Sequence, residues 1–305
     1  MFVGHAMVAF ALVAGVARYC GRSPRRALVL GALAGAFATL PDVDIVYAVT
    51  GLLGATGPFA AADGFWASST LVHRTATHSL LIGAVTAVGA AAWRHDGRTT
   101  AVAALLAFAG LVGVTTTVTG PVLGAITALF LAGALGLATV AKRLAVSPRT
   151  TGAVAAVGLL SHPFGDLFTG QPPALLYPSN VTLVTHRIVL NPNPTLHLLD
   201  AFWIELATIW LAFGVFLWLT GRQLRPHVDA RATVGVAYAA AALLIPAPTL
   251  ETSYQFVFSV LAVGAVGVTP DPIRRSTPDA VEVVATGLTA VTLASVAYAF
   301  AFVAA

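Results

Sequence analysis

The chain is built from long apolar runs separated by short polar breaks, the pattern of helices that meet lipid around most of their circumference. Ten runs stand out, near 2–18, 27–40, 79–93, 100–118, 122–141, 150–168, 201–220, 232–248, 255–269 and 281–304. A membrane-spanning helix needs roughly 20 apolar residues, so most runs predict a span, although the second and third are short. The expected fold is therefore all-α, a polytopic transmembrane bundle of nine to ten helices. The first run reads as a span and not as a signal peptide, because its basic residues follow it. Two intervals are long: one from Pro41 to about Thr77, the other from Gly170 to Asp200. Pro172, Pro173, Pro178, Pro192 and Pro194 exclude a long regular helix from the second interval. Loops of that length in a compact protein usually carry function or stay unordered. Gly31, Gly35, Gly110, Gly113, Gly133 and Gly136 predict close helix packing.

Composition removes the soluble alternative. Of 305 residues, 58% are hydrophobic and only 9% charged, against about 25% charged in a soluble domain. Cys20 is the only cysteine, which excludes an intrachain disulfide and a thiolate metal site. Sixteen Lys and Arg against twelve Asp and Glu leave +4, a balance that could point to nucleic acid. Its distribution says otherwise. The bases cluster at Arg18/Arg22/Arg25/Arg26, Arg94/Arg98, Lys142/Arg143/Arg149, Arg222/Arg225/Arg231 and Arg274/Arg275, in every second interval between runs. Fourteen of the sixteen thus fall on one side, which the positive-inside rule makes cytoplasmic; Arg74 and Arg187 fall on the other. Both termini are then expected outside. Fourteen bases and five acids give the inner segments +9, while two bases and seven acids give the outer segments −5. An acidic outer face suits a cation better than a nucleic acid.

Ionisable residues in or beside a membrane helix are costly and mark candidate functional sites. His5 lies one turn into the first run. Asp42 and Asp44 follow the second, in Leu40-Pro41-Asp42-Val43-Asp44. His73-Arg74-Thr75-Ala76-Thr77-His78-Ser79 opens the third, and His162 and Asp166 lie late in the sixth. The two histidines, His73 and His78, together with His5, Asp42, Asp44, His162 and Asp166, all reach the outer end of the expected bundle. None of these seven was used in assigning the topology. Four residues apart, His162 and Asp166 share a helix face and can hold one ion together. The two carboxylates of Asp42-x-Asp44 can bridge two cations or divide into ligand and general base. Imidazole and carboxylate without thiolate favour zinc, manganese or iron(II) over calcium or magnesium, and the number of groups allows one to three ions. Arg74 is a candidate oxyanion binder. Each residue alone also has a structural reading: Asp42 or Asp44 as a helix end, His5 as a hydrogen-bonded polar group between helices. A weaker tier follows in the second long interval. There His186, Arg187 and His197 are candidates, Asp200 is expected to cap a helix beginning near 201, and Glu205 is a candidate buried acid. His95 and His227 read as solvated.

The combination of His5, LPDVD, His73-Arg74-x-x-Thr77-His78-Ser79 and His162-x-x-x-Asp166 resembles the YdjM-like family, membrane-bound proteins regarded as metal-dependent hydrolases. The resemblance covers about residues 1–180, including Leu175-Leu176-Tyr177-Pro178. That family is more distantly similar to zinc-dependent phospholipase C and to nucleases of the same all-helical fold. The likeness implies a divalent metal, zinc first, held by His5, Asp42, His73, His78, His162 and Asp166, with Asp44 as a further ligand or a base. This chain has one His-x-x-x-Asp pair where those enzymes have two. The resulting expectation is a hydrolase domain over 1–200 and C-terminal helices of unknown role over 201–305. The enzyme would sit in the cytoplasmic membrane with its site facing outside. It would cleave phosphoester, lipid-linked substrates with a metal-activated water, aided by Asp44 and Arg74. Membrane lipids are the expected partners and nucleic acid is not; no sequence feature fixes the oligomeric state. The alternative is a metal-cation transporter or permease using the same residues. Transport sites, however, lie near the midplane between related repeats, and none is evident here.

Overall fold

A computed structural model describes residues 2–69, 72–269 and 277–305 of the chain. Among the described residues there are helices and loops and no strand. The chain divides into two compact units, Met1–Ile188 and Val189–Ala305.

The first unit contains α1 (Phe2–Tyr19), α2 (Pro24–Thr39), a 3-10 helix over Pro41–Leu52, α3 (Pro58–Ser69), α4 (Leu80–Arg94), α5 (Arg98–Val118), α6 (Pro121–Arg143) and α7 (Pro148–Gly165). The second contains α8 (Pro194–Thr220), a 3-10 helix over Ala230–Ala240 that continues into α9 (Ala241–Leu244), α10 (Tyr254–Val263) and α11 (Ala280–Ala304). Each of the ten apolar runs coincides with a helical segment. Length divides them, however. Among the described residues, only α5, α6, α8 and α11 are long and apolar enough to cross a membrane by themselves, and α2 joined to the following 3-10 helix, across a 42° bend, makes a fifth candidate. Arg274, Arg275 and Asp271, which entered the charge count, lie outside the described residues.

The interval from Pro41 to Thr77 is more ordered than a loop. The 3-10 helix takes up twelve residues from Pro41, within LPDVD, to Leu52, and α3 packs on it where Gly51 and Gly64 face one another. A Cβ on Gly51 would lie 1.9 Å from the Gly64 carbonyl oxygen, so neither position admits a side chain. A second close approach sets the register of the site. A Cβ on Gly158 of α7 would stand 2.6 Å from the Ala34 carbonyl oxygen of α2. The missing side chain lets these backbones touch, and one turn further on His162 meets Ala38.

In the second unit α8 starts earlier than expected. Asn193, not Asp200, is its N-cap, the side chain accepting hydrogen bonds from the Thr195 and Leu196 amides. Pro194 occupies the first turn, where a missing N–H costs nothing. Asp200 therefore lies inside the helix. The core of this unit is apolar and aromatic: Leu199, Phe202, Phe256, Val260 and Tyr298 are buried together. Two indole N–H groups cross to α11, Trp203 to Ser295 Oγ at 3.1 Å and Trp210 to Thr292 Oγ1 at 3.0 Å.

Candidate metal centre

Five helical elements of the first unit, with the loop that carries His73, deliver the candidate residues to one place. His5 comes from the first turns of α1. Asp42 and Asp44 begin the 3-10 helix that Pro41 starts after α2 ends. His78 sits on a single 3-10 turn, Ala76–His78. It is followed at once by Ser79, whose Oγ accepts from the Leu81 and Ile82 amides and caps α4. His162 is in the last turn of α7, with Pro163 inside the helix, and Asp166 opens the 3-10 turn after Gly165. His5, Asp44, His78, His162 and Asp166 are buried, while Asp42 and His73 are partly so. The seven residues nominated as ligands are thus brought together. Two groups of three offer ligand atoms within 4.8 Å of one another: His5, His162 and Asp166; and Asp42, His73 and His78.

The hydrogen bonds decide which nitrogen each histidine presents. His162 Nδ1 is 2.7 Å from the Ala38 carbonyl, an acceptor only, so Nδ1 carries the proton and Nε2 a lone pair. His73 Nδ1 is 2.8 Å from Asp44 Oδ1, which likewise leaves its Nε2 free. Asp44 Oδ2 accepts from the Thr77 hydroxyl at 2.7 Å, and Thr77 Oγ1 in turn accepts from His78 Nδ1 at 2.9 Å. The lone pair of His78 is then also on Nε2. In these tautomers four acceptors converge. His78 Nε2 lies 3.0 Å from His162 Nε2 and 3.1 Å from Asp166 Oδ2. Asp42 Oδ1 is 3.4 Å from His162 Nε2 and 3.7 Å from His78 Nε2. Asp166 Oδ2 is buried and makes no hydrogen bond, despite its proximity to these rings. Four electron-rich atoms facing one another need a positive charge between them.

The remaining contacts hold this arrangement. Asp166 Oδ1 is 3.3 Å from His5 Nε2 and 3.1 Å from Arg74 Nη2. The ring of His5 lies over that of His162, centroids 3.8 Å apart, and a Cβ on Gly165 would collide with it at 2.6 Å. Asp44 is fully buried and belongs to neither group of three. Besides His73 and Thr77 it accepts the Arg74 backbone N–H at 3.3 Å, so its oxygens are turned toward the ligand-bearing loop. Arg74 is likewise engaged. Its Nη1 donates to the carbonyls of Thr169, Asp166 (3.2 Å) and Gln171 (2.8 Å), and Nη2 donates to Thr169 Oγ1 at 2.9 Å. Its backbone adopts φ 65°, the left-handed region that non-glycine residues seldom enter. The Arg74 carbonyl accepts the Ala174 N–H at 2.9 Å. Next along, Leu80 N–H donates to the Leu175 carbonyl at 2.9 Å and Ser79 Oγ to the Tyr177 carbonyl at 2.7 Å. The Leu175-Leu176-Tyr177 segment is in this way stitched to the loop that carries both histidines.

No residue of the weaker tier belongs to either group of three. His197 Nδ1 accepts the Leu190 N–H at 3.1 Å, so its Nε2 carries the proton and is no ligand atom in that state. His186 pairs with Thr185 Oγ1 at 2.9 Å, and Asp200 and Glu205 join neither group of three. Two contributors escaped the sequence reading. Thr77 was visible in the motif, immediately before His78, but had no assigned role. The Ala38 carbonyl leaves no trace in a sequence.

Comparison with known proteins agrees with the resemblance and extends it. Neither the curated proteins nor the solved structures gave a match. A family model described as YdjM inner membrane protein matches residues 1–226, well beyond the 1–180 that the motifs suggested and through the whole of α8. With that match over most of its length, and with a buried His/Asp cluster suited to a metal ion, the chain belongs to the YdjM inner membrane protein family.

Proposed function

We propose that the protein is a membrane-embedded, metal-dependent hydrolase acting on phosphoesters, lipid-linked ones first. One observation carries the reading: His78 Nε2, His162 Nε2, Asp42 Oδ1 and Asp166 Oδ2 converge, and the tautomers that the flanking hydrogen bonds favour leave a lone pair on each nitrogen. That donor set fits a divalent cation of the zinc, manganese or iron(II) kind. His5, Asp42, His73, His78, His162 and Asp166 would hold it, as one ion or as a pair. A bound ion of this kind supplies Lewis acidity and a nucleophilic water at neutral pH.

The chain's own groups set the stage for that chemistry. Asp44 and Thr77 fix the tautomers of His73 and His78, the Ala38 carbonyl fixes that of His162, and Arg74 holds Asp166 in place. Such supports orient metal ligands and raise their basicity. Asp44 and Arg74, expected to act on substrate, are better read as positioning residues. The distribution of basic residues favours a site open to the outer face, at headgroup depth, where lipid phosphoesters are at hand. All six ligands lie at one end of α1, α2, α4 and α7, which suits hydrolysis at a surface better than passage through the bilayer.

The test is metal analysis of the purified full chain beside a His162→Ala/Asp166→Ala variant, with hydrolysis of a generic phosphodiester followed on the same samples. The expected result is bound zinc, manganese or iron in the parent and none in the variant, with activity lost in parallel. Metal-free parent protein would sink the assignment and leave a protonated His78 as the charge between the acceptors.

A further inference from the structure

At the opposite end of α4 from the metal centre lies a pocket of about 430 Å³. It is lined by Trp93 and His95 at the end of α4, Asp96, Arg98 at the start of α5, and Thr139 and Lys142 near the end of α6. The fifteen residues of α4 separate it from the His/Asp cluster by about 22 Å at 1.5 Å per residue, so the two are distinct. Its depth follows from its walls. Both α5 and α6 are long and apolar enough to cross a membrane, and the pocket is made at their ends, where hydrocarbon gives way to headgroups for a helix of that length.

Its chemistry is that of an anion site with an apolar floor. The Trp93 indole donates to Thr139 Oγ1 at 3.1 Å, which fixes the ring as a wall of the pocket. Tryptophan at this depth is a common interfacial anchor. Arg98 has no ion-pair partner among the described residues. Lys142 meets Asp96 at 2.8 Å, but the two side chains are 55% and 79% exposed, so the pair is solvated and a phosphate can replace the carboxylate at little cost. Basic pockets between spans on the inner side bind anionic headgroups in this way.

We propose that this pocket binds the headgroup phosphate of an anionic phospholipid, with Arg98 and Lys142 on the phosphate, Trp93 against the glycerol and acyl carbons, and Asp96 as the competing anion. The proposal is independent of the metal centre.

The test uses the full chain in detergent, titrated with short-chain phosphatidylglycerol, short-chain phosphatidylcholine and inorganic phosphate. Binding is read from the shift of the unfolding temperature and from intrinsic Trp fluorescence. Phosphatidylglycerol is expected to bind more tightly than phosphatidylcholine, and inorganic phosphate not to compete at equal concentration. Arg98→Gln and Lys142→Gln are each expected to weaken phosphatidylglycerol binding about fivefold. Asp96→Asn is expected to tighten it, an outcome that a merely structural role for the Lys142–Asp96 pair does not give. Equal binding of the two lipids, or unchanged affinity in Arg98→Gln, would overturn the proposal. So would competition by inorganic phosphate alone, which marks a simple anion site. Should either Gln variant fail to fold, Asp96→Asn decides, because it removes no cation.

Discussion

The two units of this chain are made of similar material and spend their buried positions differently. In residues 1–188 buried imidazoles and carboxylates gather at one end of the helices that carry them, and those helices start or stop there. α2 breaks at Leu40–Pro41, α4 begins only after His78, and α7 ends at Gly165. In residues 189–305 the centre is Phe202, Phe256 and Tyr298, and α8 and α11 run uninterrupted for 27 and 25 residues. Irregular backbone at membrane depth is tolerated only where protein or a cavity surrounds it. The helices of the first unit that meet at the site thus trade length for it, while α5 and α6 beside them keep theirs, as α8 and α11 do in the second.

Four measurements put that contrast to the test. The largest effect is expected from His162→Ala with Asp166→Ala, which removes two of the three ligands of one group and two of the four converging acceptors: bound metal should fall to background. Phe256→Ala should do the reverse. It empties a fully buried ring site in the second unit at a cost of about 3–5 kcal/mol, read by denaturant unfolding, while metal stoichiometry in the folded fraction stays at the parental value. If metal is lost with Phe256, the two units do not behave separately. A smaller effect is expected from Thr77→Val, which keeps shape but removes the hydroxyl between Asp44 and His78. Metal affinity measured by chelator competition should weaken about 10–100-fold, and unchanged affinity would remove Thr77 from the site. The smallest is Trp203→Phe, which deletes one hydrogen bond to Ser295 and should cost about 1 kcal/mol with no change in metal binding.

Much of this was legible in the chain, for identifiable reasons. Apolar runs announce helices whatever surrounds them, and all ten appear. Polar residues inside such runs are expensive, so His5, Asp42, His78, His162 and Asp166 stood out without a structure. Less visible was the division into long and short helices, because a run that stops for Pro41 or for His162-Pro163 resembles a slightly short span. The ordered part of the 41–77 interval was hidden too. In α3, Asp63 and Gly64 interrupt the apolar pattern, and its packing depends on the Gly51–Gly64 contact, which couples positions 13 apart in sequence. The start of α8 was misplaced because Asp200 is a good capping residue. Asn193 before Pro194 is an equally good one, and the apolar Leu196, Leu198 and Leu199 between them belong to the helix. Contacts through main-chain atoms, such as Ala38 with His162, have no sequence signature at all.

Arg74 has a consequence for motion. Its N–H, its carbonyl and its guanidinium tie three stretches of chain, around Asp44, around Asp166–Gln171 and at Ala174. Segments joined through one residue cannot loosen one at a time, so the loops around the site should open as a single unit. In amide hydrogen exchange the N–H groups of Arg74, Leu80 and Ala174 should then share one protection level. Arg74→Lys, which retains the charge but not the fork of donors, should release all three together.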